Sequence, residues 1–137
     1  NAVSEKVEVY IDGEKEIINS LDGYITLSGE KVNGKNIGLK FPMEVRMVET
    51  SDKVVENQGK VALEYGPLVY AVEEIDNKRD INEFSLSQSN DFEVQMEDEL
   101  LEGVNTIASG DFKAIPYYAW SNRGPGKMKV WLNSSLK

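Results

Sequence analysis

Neither cysteine nor histidine occurs in this 137-residue chain. Without thiolate or imidazole there is no Cys nucleophile, no Ser-His-Asp triad and no Cys- or His-ligated metal centre. Carboxylates, Lys, Tyr and hydroxyls remain for chemistry. Long apolar runs are missing too. No stretch approaches the roughly 20 residues of a membrane-spanning helix, and the N-terminus lacks the charged start and apolar stretch of an export signal. A chain without thiols is compatible with cytoplasm, periplasm and exterior alike. Positive charge is in deficit: 15 Lys and Arg against 24 Asp and Glu give a formal net charge of −9. The cations are scattered singly, so the chain repels phosphate backbones and anionic lipid, and neither nucleic acid nor a membrane is expected as a partner.

What is present has the balance of a folded domain, 40% hydrophobic and 28% charged. The dominant hydrophobic period is two, the period of a strand with one covered face. In NIGLKFPMEVRMVE, Ile37, Leu39, Phe41, Met43, Val45 and Met47 share one parity, which predicts a long strand with those residues buried. Pro42 falls on the other side, where its missing N–H marks an edge, a bulge or a bend. KVEVYIDGE places Val7, Val9 and Ile11 inward and ends on the turn pair Asp12-Gly13. GYITLSGE, residues 23–30, predicts a short strand before the turn signal Asn33-Gly34.

GKVALEYGPLVYAVEEID predicts two strands joined at a Gly66-Pro67 corner, the second apolar on both faces and therefore central. DNKRDINE, residues 76–83, is polar enough for a loop. DFEVQME alternates through Phe92, Val94 and Met96, and a strand follows through Phe112, Ala114 and Pro116. KMKVWL closes with Met128, Val130 and Leu132 on one face. Only DELLEG, residues 98–103, has the make-up of a helical turn, too short to stand alone. Seven to nine short strands with Gly, Asn and Asp at the turns predict an all-β, antiparallel β-sandwich, jelly-roll-like, with little or no helix.

Several groups bear on chemistry. Glu97, Asp98, Glu99 and Glu102 form the densest acidic run, but glycosidase catalysis needs a carboxyl desolvated enough to stay protonated. Glu73, Glu74, Asp76 and Asp80 offer oxygen ligands for calcium without the spacing of a calcium loop. Asn133-Ser134-Ser135 matches a glycosylation acceptor in what reads as a frayed tail, and Gly124-Pro125-Gly126 reads as a turn. The sharpest group is KAIPYYAWSNRGPG. Tyr117, Tyr118, Trp120, Asn122 and Arg123 have the chemistry of a sugar platform, rings for stacking and polar groups for hydroxyls. On strand parity Tyr118 and Trp120 share one side and Tyr117 the other. The same group also suits packing on two faces, with Arg123 stacked on a ring or fixing carbonyls.

Four stretches, VEVYIDGE, GLKFPMEVRMV, GKVALEYGPLVYAVEEIDN and KAIPYYAWSNRGPGKMKVWL, resemble in order the C-terminal region of bacterial glycoside hydrolase family 127, typified by β-L-arabinofuranosidases. In that family an (α/α)6 barrel carries a cysteine nucleophile, a glutamate acid/base and a cysteine-rich zinc site, and β-sandwich domains follow it. No position here matches those catalytic motifs. The resemblance therefore implies a non-catalytic accessory sandwich of a longer enzyme, with no catalytic residue, metal or cofactor of its own; the compartment stays open, periplasm and exterior included. The implied partners are the catalytic barrel and a neighbouring β-domain, with a plant-type oligosaccharide as a further candidate. Residues 1–137 then form one sandwich unit, or a boundary near 47 separates the end of a preceding β-domain, 1–47, from a C-terminal one, 48–137.

Overall fold

A computed structural model describes residues 7–18, 20–21 and 24–135. The chain divides into two compact units, Asn1–Met43 and Glu44–Lys137.

In the first unit, β1 (Glu8–Ile11) and β2 (Glu14–Glu16) form a hairpin with Ile11 facing Glu14. Asp12 and Gly13 both take positive φ, 52° and 88°, the pattern of a type I′ turn whose twist matches the flanking strands. As expected, Val9 and Ile11 are buried. The two-residue strands β3 (Ser20–Leu21) and β4 (Tyr24–Ile25) pair with each other, and α1 (Gly29–Val32) is a single helical turn. The strand expected over 23–30 is thus confined to Tyr24–Ile25. Gly29 and Glu30 open α1 instead, with Glu30 in its first turn and Lys31 in its last, the signs that suit a helix dipole. Next, β5 (Ile37–Lys40) pairs antiparallel with β1. Asp12 ties the turn to the approach of β5: its N–H donates to the Asn36 carbonyl at 2.8 Å and its Oδ1 accepts from the Asn36 N–H at 3.0 Å.

The long strand expected over 36–49 is interrupted. β5 ends at Lys40, residues 41–44 carry no ladder, and β6 (Val45–Glu49) belongs to a different sheet in the second unit. Pro42 has no N–H to continue a ladder. The expected burial fails on the β5 side, where Ile37, Leu39, Phe41 and Met43 are 48%, 53%, 53% and 39% exposed. Val45 and Met47, by contrast, pack against the core of the second unit.

That second unit continues with β7 (Lys60–Tyr65), β8 (Leu68–Glu73), β9 (Ser85–Leu86), β10 (Glu93–Glu97), β11 (Val104–Ser109), β12 (Phe112–Pro116), β13 (Met128–Lys129) and β14 (Leu132–Ser134). They make one curled nine-stranded sheet in the order β10-β11-β12-β8-β7-β14-β9, with β6 on β7 and β13 on β8. The expected all-β sandwich is the architecture, antiparallel except that β9 runs parallel to β14. At the Gly66-Pro67 corner, Gly66 takes φ 58° and Pro67 follows, a first-position glycine of the kind a type II′ hairpin uses. β7 and β8 stay paired only from that corner to Leu63–Tyr70. Beyond it they splay, and the single segment 128–134 enters the gap: Met128 and Lys129 pair with Glu73 and Val72, then Leu132 and Asn133 pair with Val61 and Lys60. The expected continuous KMKVWL strand therefore breaks at Val130–Trp131. Asn133-Ser134-Ser135 is no frayed tail, because Ser135 N–H donates to the Leu86 carbonyl at 2.8 Å.

The main core gathers Val61, Leu63, Tyr70, Val72, Phe84, Ile107 and Leu132 with neighbours from the loops. β12 is buried on both sides: Phe112 and Ala114 belong to this core, whereas Ile115 joins a second one with Leu100, Val104 and Ala119. The helical turn expected at 98–103 is instead the β10–β11 hairpin loop. Leu101, Glu102 and Gly103 take φ of 48°, 62° and 113°, which no helix contains, and Leu100 plugs the second core. β10 forms as expected, but Val94 and Met96 are exposed, 38% and 61%, because β10 is the edge of its sheet. The sequence pattern predicts neither β9 nor β11. Val-Asn-Thr-Ile-Ala-Ser hides β11, since Thr106 points inward and donates its hydroxyl to the Gln95 carbonyl at 3.2 Å.

Candidate functional site

The aromatic stretch is shaped by how β12 ends. At Pro116 the strand stops and the chain turns into a single 3₁₀ turn, Tyr117–Ala119. Ile115 and Ala119, both 0% exposed, anchor that turn in the second core. The anchoring sends Tyr117, Tyr118 and Trp120 outward, 47%, 57% and 39% exposed. Strand parity is the wrong rule here. A 3₁₀ turn repeats every three residues, so Tyr117 and Trp120 come together, ring centroids 6.5 Å apart and planes 38° tilted.

From Trp120 the chain is drawn back onto the end of β8. Ser121, with φ 62°, donates its N–H to Glu73 Oε1 at 2.7 Å. Arg123 then donates to Asp76 Oδ1 and Oδ2 at 2.7 and 2.5 Å and to Glu73 Oε2 at 2.8 Å. The Glu73 and Asp76 side chains are 7% and 6% exposed. These hydrogen bonds, the ones to Asp76 above all, push the Arg123 guanidinium further up from its already high range. Beside them Asn77 bridges two strands: its Nδ2 donates to the Glu73 and Lys113 carbonyls, and its Oδ1 accepts from Lys113 N–H. Lys113 in turn pairs with Glu97 and lies 3.6 Å from Asp76.

This network reassigns several sequence candidates. Arg123 neither stacks on a ring nor holds carbonyls; it closes carboxylates. Asn122 holds the carbonyls instead, donating to Ala119 and Trp120 at 3.0 and 3.3 Å. The oxygens that the calcium reading drew on are engaged within the protein: Glu73 and Asp76 by Arg123, Glu74 by Lys127 and Asp80 by Asn82. Within the acidic run, Glu97 is paired with Lys113, while Asp98, Glu99 and Glu102 stay exposed around the hairpin loop. Sequence reasoning gives Asn77 and Lys113 no role, although Asn77 closes one of the family-like stretches. A buried asparagine beside paired carboxylates leaves no periodic mark.

A second feature adjoins the turn. A shallow groove of about 580 Å³ is lined by Val69, Tyr117, Met128, Val130 and Trp131, together with Lys60 and Lys129. It lies where the 128–134 segment breaks between β13 and β14.

Comparison with known proteins places this geometry. Residues 45–133, from the first residue of β6 into β14, match the glycoside hydrolase family 127 C-terminal domain. The chain belongs to glycoside hydrolase family 127. The matched residues begin one residue after the second unit does. The non-reducing end β-L-arabinofuranosidase of Bifidobacterium longum subsp. longum is 27% identical over 150 residues, covering 88% of this chain and 23% of that protein. The crystal structure of a GH127 β-L-arabinofuranosidase from Geobacillus stearothermophilus T6 superimposes with a TM-score of 0.74 at 34% identity, covering 94% of this chain and 24% of that one. A solved GH127 β-arabinofuranosidase gives 0.80 at 32% identity, covering 94% and 23%. The chain thus spans about a quarter of the length of these GH127 relatives.

Proposed function

We propose that this chain works as a non-catalytic accessory C-terminal domain of a β-L-arabinofuranosidase-like glycoside hydrolase, stabilising or framing a catalytic (α/α)6 barrel. In this reading residues 44–137 are the C-terminal domain and residues 1–43 are closing strands of a preceding β-domain. The observation that carries it is the outward presentation of Tyr118 and Trp120, held by the second core on one side and by Arg123 on the other. Tyr and Trp are favoured at buried interfaces because they cover much area with little conformational freedom to lose. Engagement of Glu73, Asp76 and Glu97 by cations supports the non-catalytic part, since these carboxylates are turned onto the protein's own side chains.

The test is Tyr118→Ala with Trp120→Ala in the intact longer enzyme. Melting should fall by several degrees and activity with it; soluble, monomeric protein with unchanged melting and activity would overturn the reading. A second reading, a carbohydrate-binding module with Tyr117, Tyr118 and Trp120 as platform, draws on the same exposure. Asn122 and Arg123 spend hydrogen-bond donors on their own surroundings, so that platform would rest chiefly on its rings. Tryptophan fluorescence of this chain titrated with arabinan decides it: a saturable shift lost in Trp120→Ala favours the module.

A further inference from the structure

The groove beside the aromatic turn carries a local reversal of charge. Most described lysines and arginines are ion-paired, as Arg46 is with Glu64 and Lys127 with Glu74. Lys60 and Lys129 are not. Lys60 Nζ donates to the Glu56 carbonyl at 2.8 Å and Lys129 Nζ to Asn82 Oδ1 at 3.1 Å, both neutral acceptors. Among the described residues no carboxylate lies within ion-pair distance of either; Asp80 feels Lys129 only through space and is bound by Asn82. In a chain of net charge −9, these two lysines line one depression whose other walls are apolar and aromatic, and Lys60 also borders a second one beside Glu49 and Asp52.

We propose that this groove binds a carboxylate-bearing saccharide, with Tyr117 and Trp131 taking the apolar face of a uronosyl ring and Lys60 and Lys129 its carboxylate. The inference rests on the reading of the chain as part of a glycan-processing enzyme, which makes a saccharide the ligand class at hand. Aromatic faces suit the C–H face of a sugar ring, and a few convergent polar groups orient it. A neutral sugar would leave both ammonium groups without a counter-charge. A small inorganic anion would leave Val69, Met128, Val130 and Trp131 without a role. The rings are also held in place before any ligand arrives, Tyr117 by the 3₁₀ turn and Trp131 by the strand pairings on either side of it. Pre-set side chains lose less freedom on binding.

The experiment titrates this chain with trigalacturonate, with arabinotriose and with a hexaglutamate peptide, reading tryptophan fluorescence and amide chemical shifts. The expected result is saturable binding of trigalacturonate, at least about tenfold tighter than arabinotriose and weakened by salt. Lys60→Ala with Lys129→Ala should weaken it about tenfold or more, Lys129→Arg should retain it, and Trp131→Ala should abolish it. Trp131→Phe supplies a ring if the alanine variant fails to fold. No shift up to ~10 mM trigalacturonate overturns the proposal, and so does equal binding of arabinotriose. A stronger response to hexaglutamate assigns the groove to an acidic protein partner and also overturns it. None of these outcomes bears on the melting test in the intact enzyme, so the two readings fail separately.

Discussion

Arg123 closes onto Asp76 across 47 residues of sequence, with both terminal nitrogens on both carboxylate oxygens. A guanidinium and a carboxylate match in this fork-to-fork geometry, which fixes direction as well as charge. Glu73 shares the same guanidinium, so one side chain staples the aromatic loop to the end of β8.

Breaking that staple should cost about 3 kcal/mol, because nearly buried Glu73 would lose its cation and Asp76 would keep only Lys113 at 3.6 Å, while Arg123 itself remains 30% exposed and partly screened by water. Arg123→Ala is expected to lower the urea midpoint accordingly without changing the overall β content. Arg123→Lys should recover only part, since a point charge cannot serve both oxygens of Asp76 and Glu73 together. Full recovery by lysine would show that charge alone matters.

Acid should loosen the first unit early. The Glu8 carboxyl is held at about 2, against an ordinary 4.5, chiefly by its hydrogen bond from Lys15 and then from Tyr10. Asp12 is likewise lowered, chiefly by Lys35 and then by the Asn36 amide. Folded values below unfolded ones mean that the unfolded chain takes up protons first, so this stability is present above about pH 4.5 and is lost as pH falls toward 2. Amide protection in β1 and β5, measured relative to the exchange of an unfolded chain at the same pH, should fall between about pH 5 and about pH 2.5, and Glu8→Gln should remove part of that difference. An unchanged profile in Glu8→Gln would count against it.

Tyr70 makes the opposite prediction at high pH. Its ring lies in the main core, its hydroxyl donates to the Asn105 carbonyl at 2.7 Å, and burial above all raises the phenol to about 12. A raised acid loses protons from the unfolded chain first, so stability should fall as pH climbs from about 10 toward 12. Tyr70→Phe should cost about 1 kcal/mol at neutral pH through the lost hydrogen bond and should flatten that alkaline decline. A decline of unchanged steepness would assign it to other groups.

The β10–β11 loop stores backbone strain. Leu101, with φ 48°, is 48% exposed and sits in a region that side-chain-bearing residues enter at a cost of about 1 kcal/mol. Leu101→Gly should therefore leave stability unchanged or raise it by up to about 1 kcal/mol, against the usual loss from glycine. Leu100→Gly, one residue away but plugged into the second core, should lose about 3 kcal/mol. Equal losses in both would show that the φ values carry no strain.

The site was legible in part. The short stretch holding Tyr117, Tyr118, Trp120 and Arg123 stood out by composition, and the structure does present its rings together on one turn. Their grouping was not legible, because the step from a period of two to a period of three occurs within one residue of Pro116. The groove was hidden for another reason: Lys60, Val69 and Trp131 come from different strands and segments and meet only in the folded sheet.

By itself the sequence determined the β class, the corners at Asp12-Gly13 and Gly66-Pro67, and the motifs shared with glycoside hydrolase family 127, because alternation, turn chemistry and motif order are properties of neighbouring residues. Tertiary structure alone decided that Val45 and Met47 are covered while Leu39 and Phe41, of the same parity, stay half exposed. It also decided that Arg123 belongs to Asp76 and Glu73 and to no ring. Parity says which side chains share a face, a local fact. What covers that face, and which charge meets which, depends on residues far away in the chain that only the folded sheet brings near.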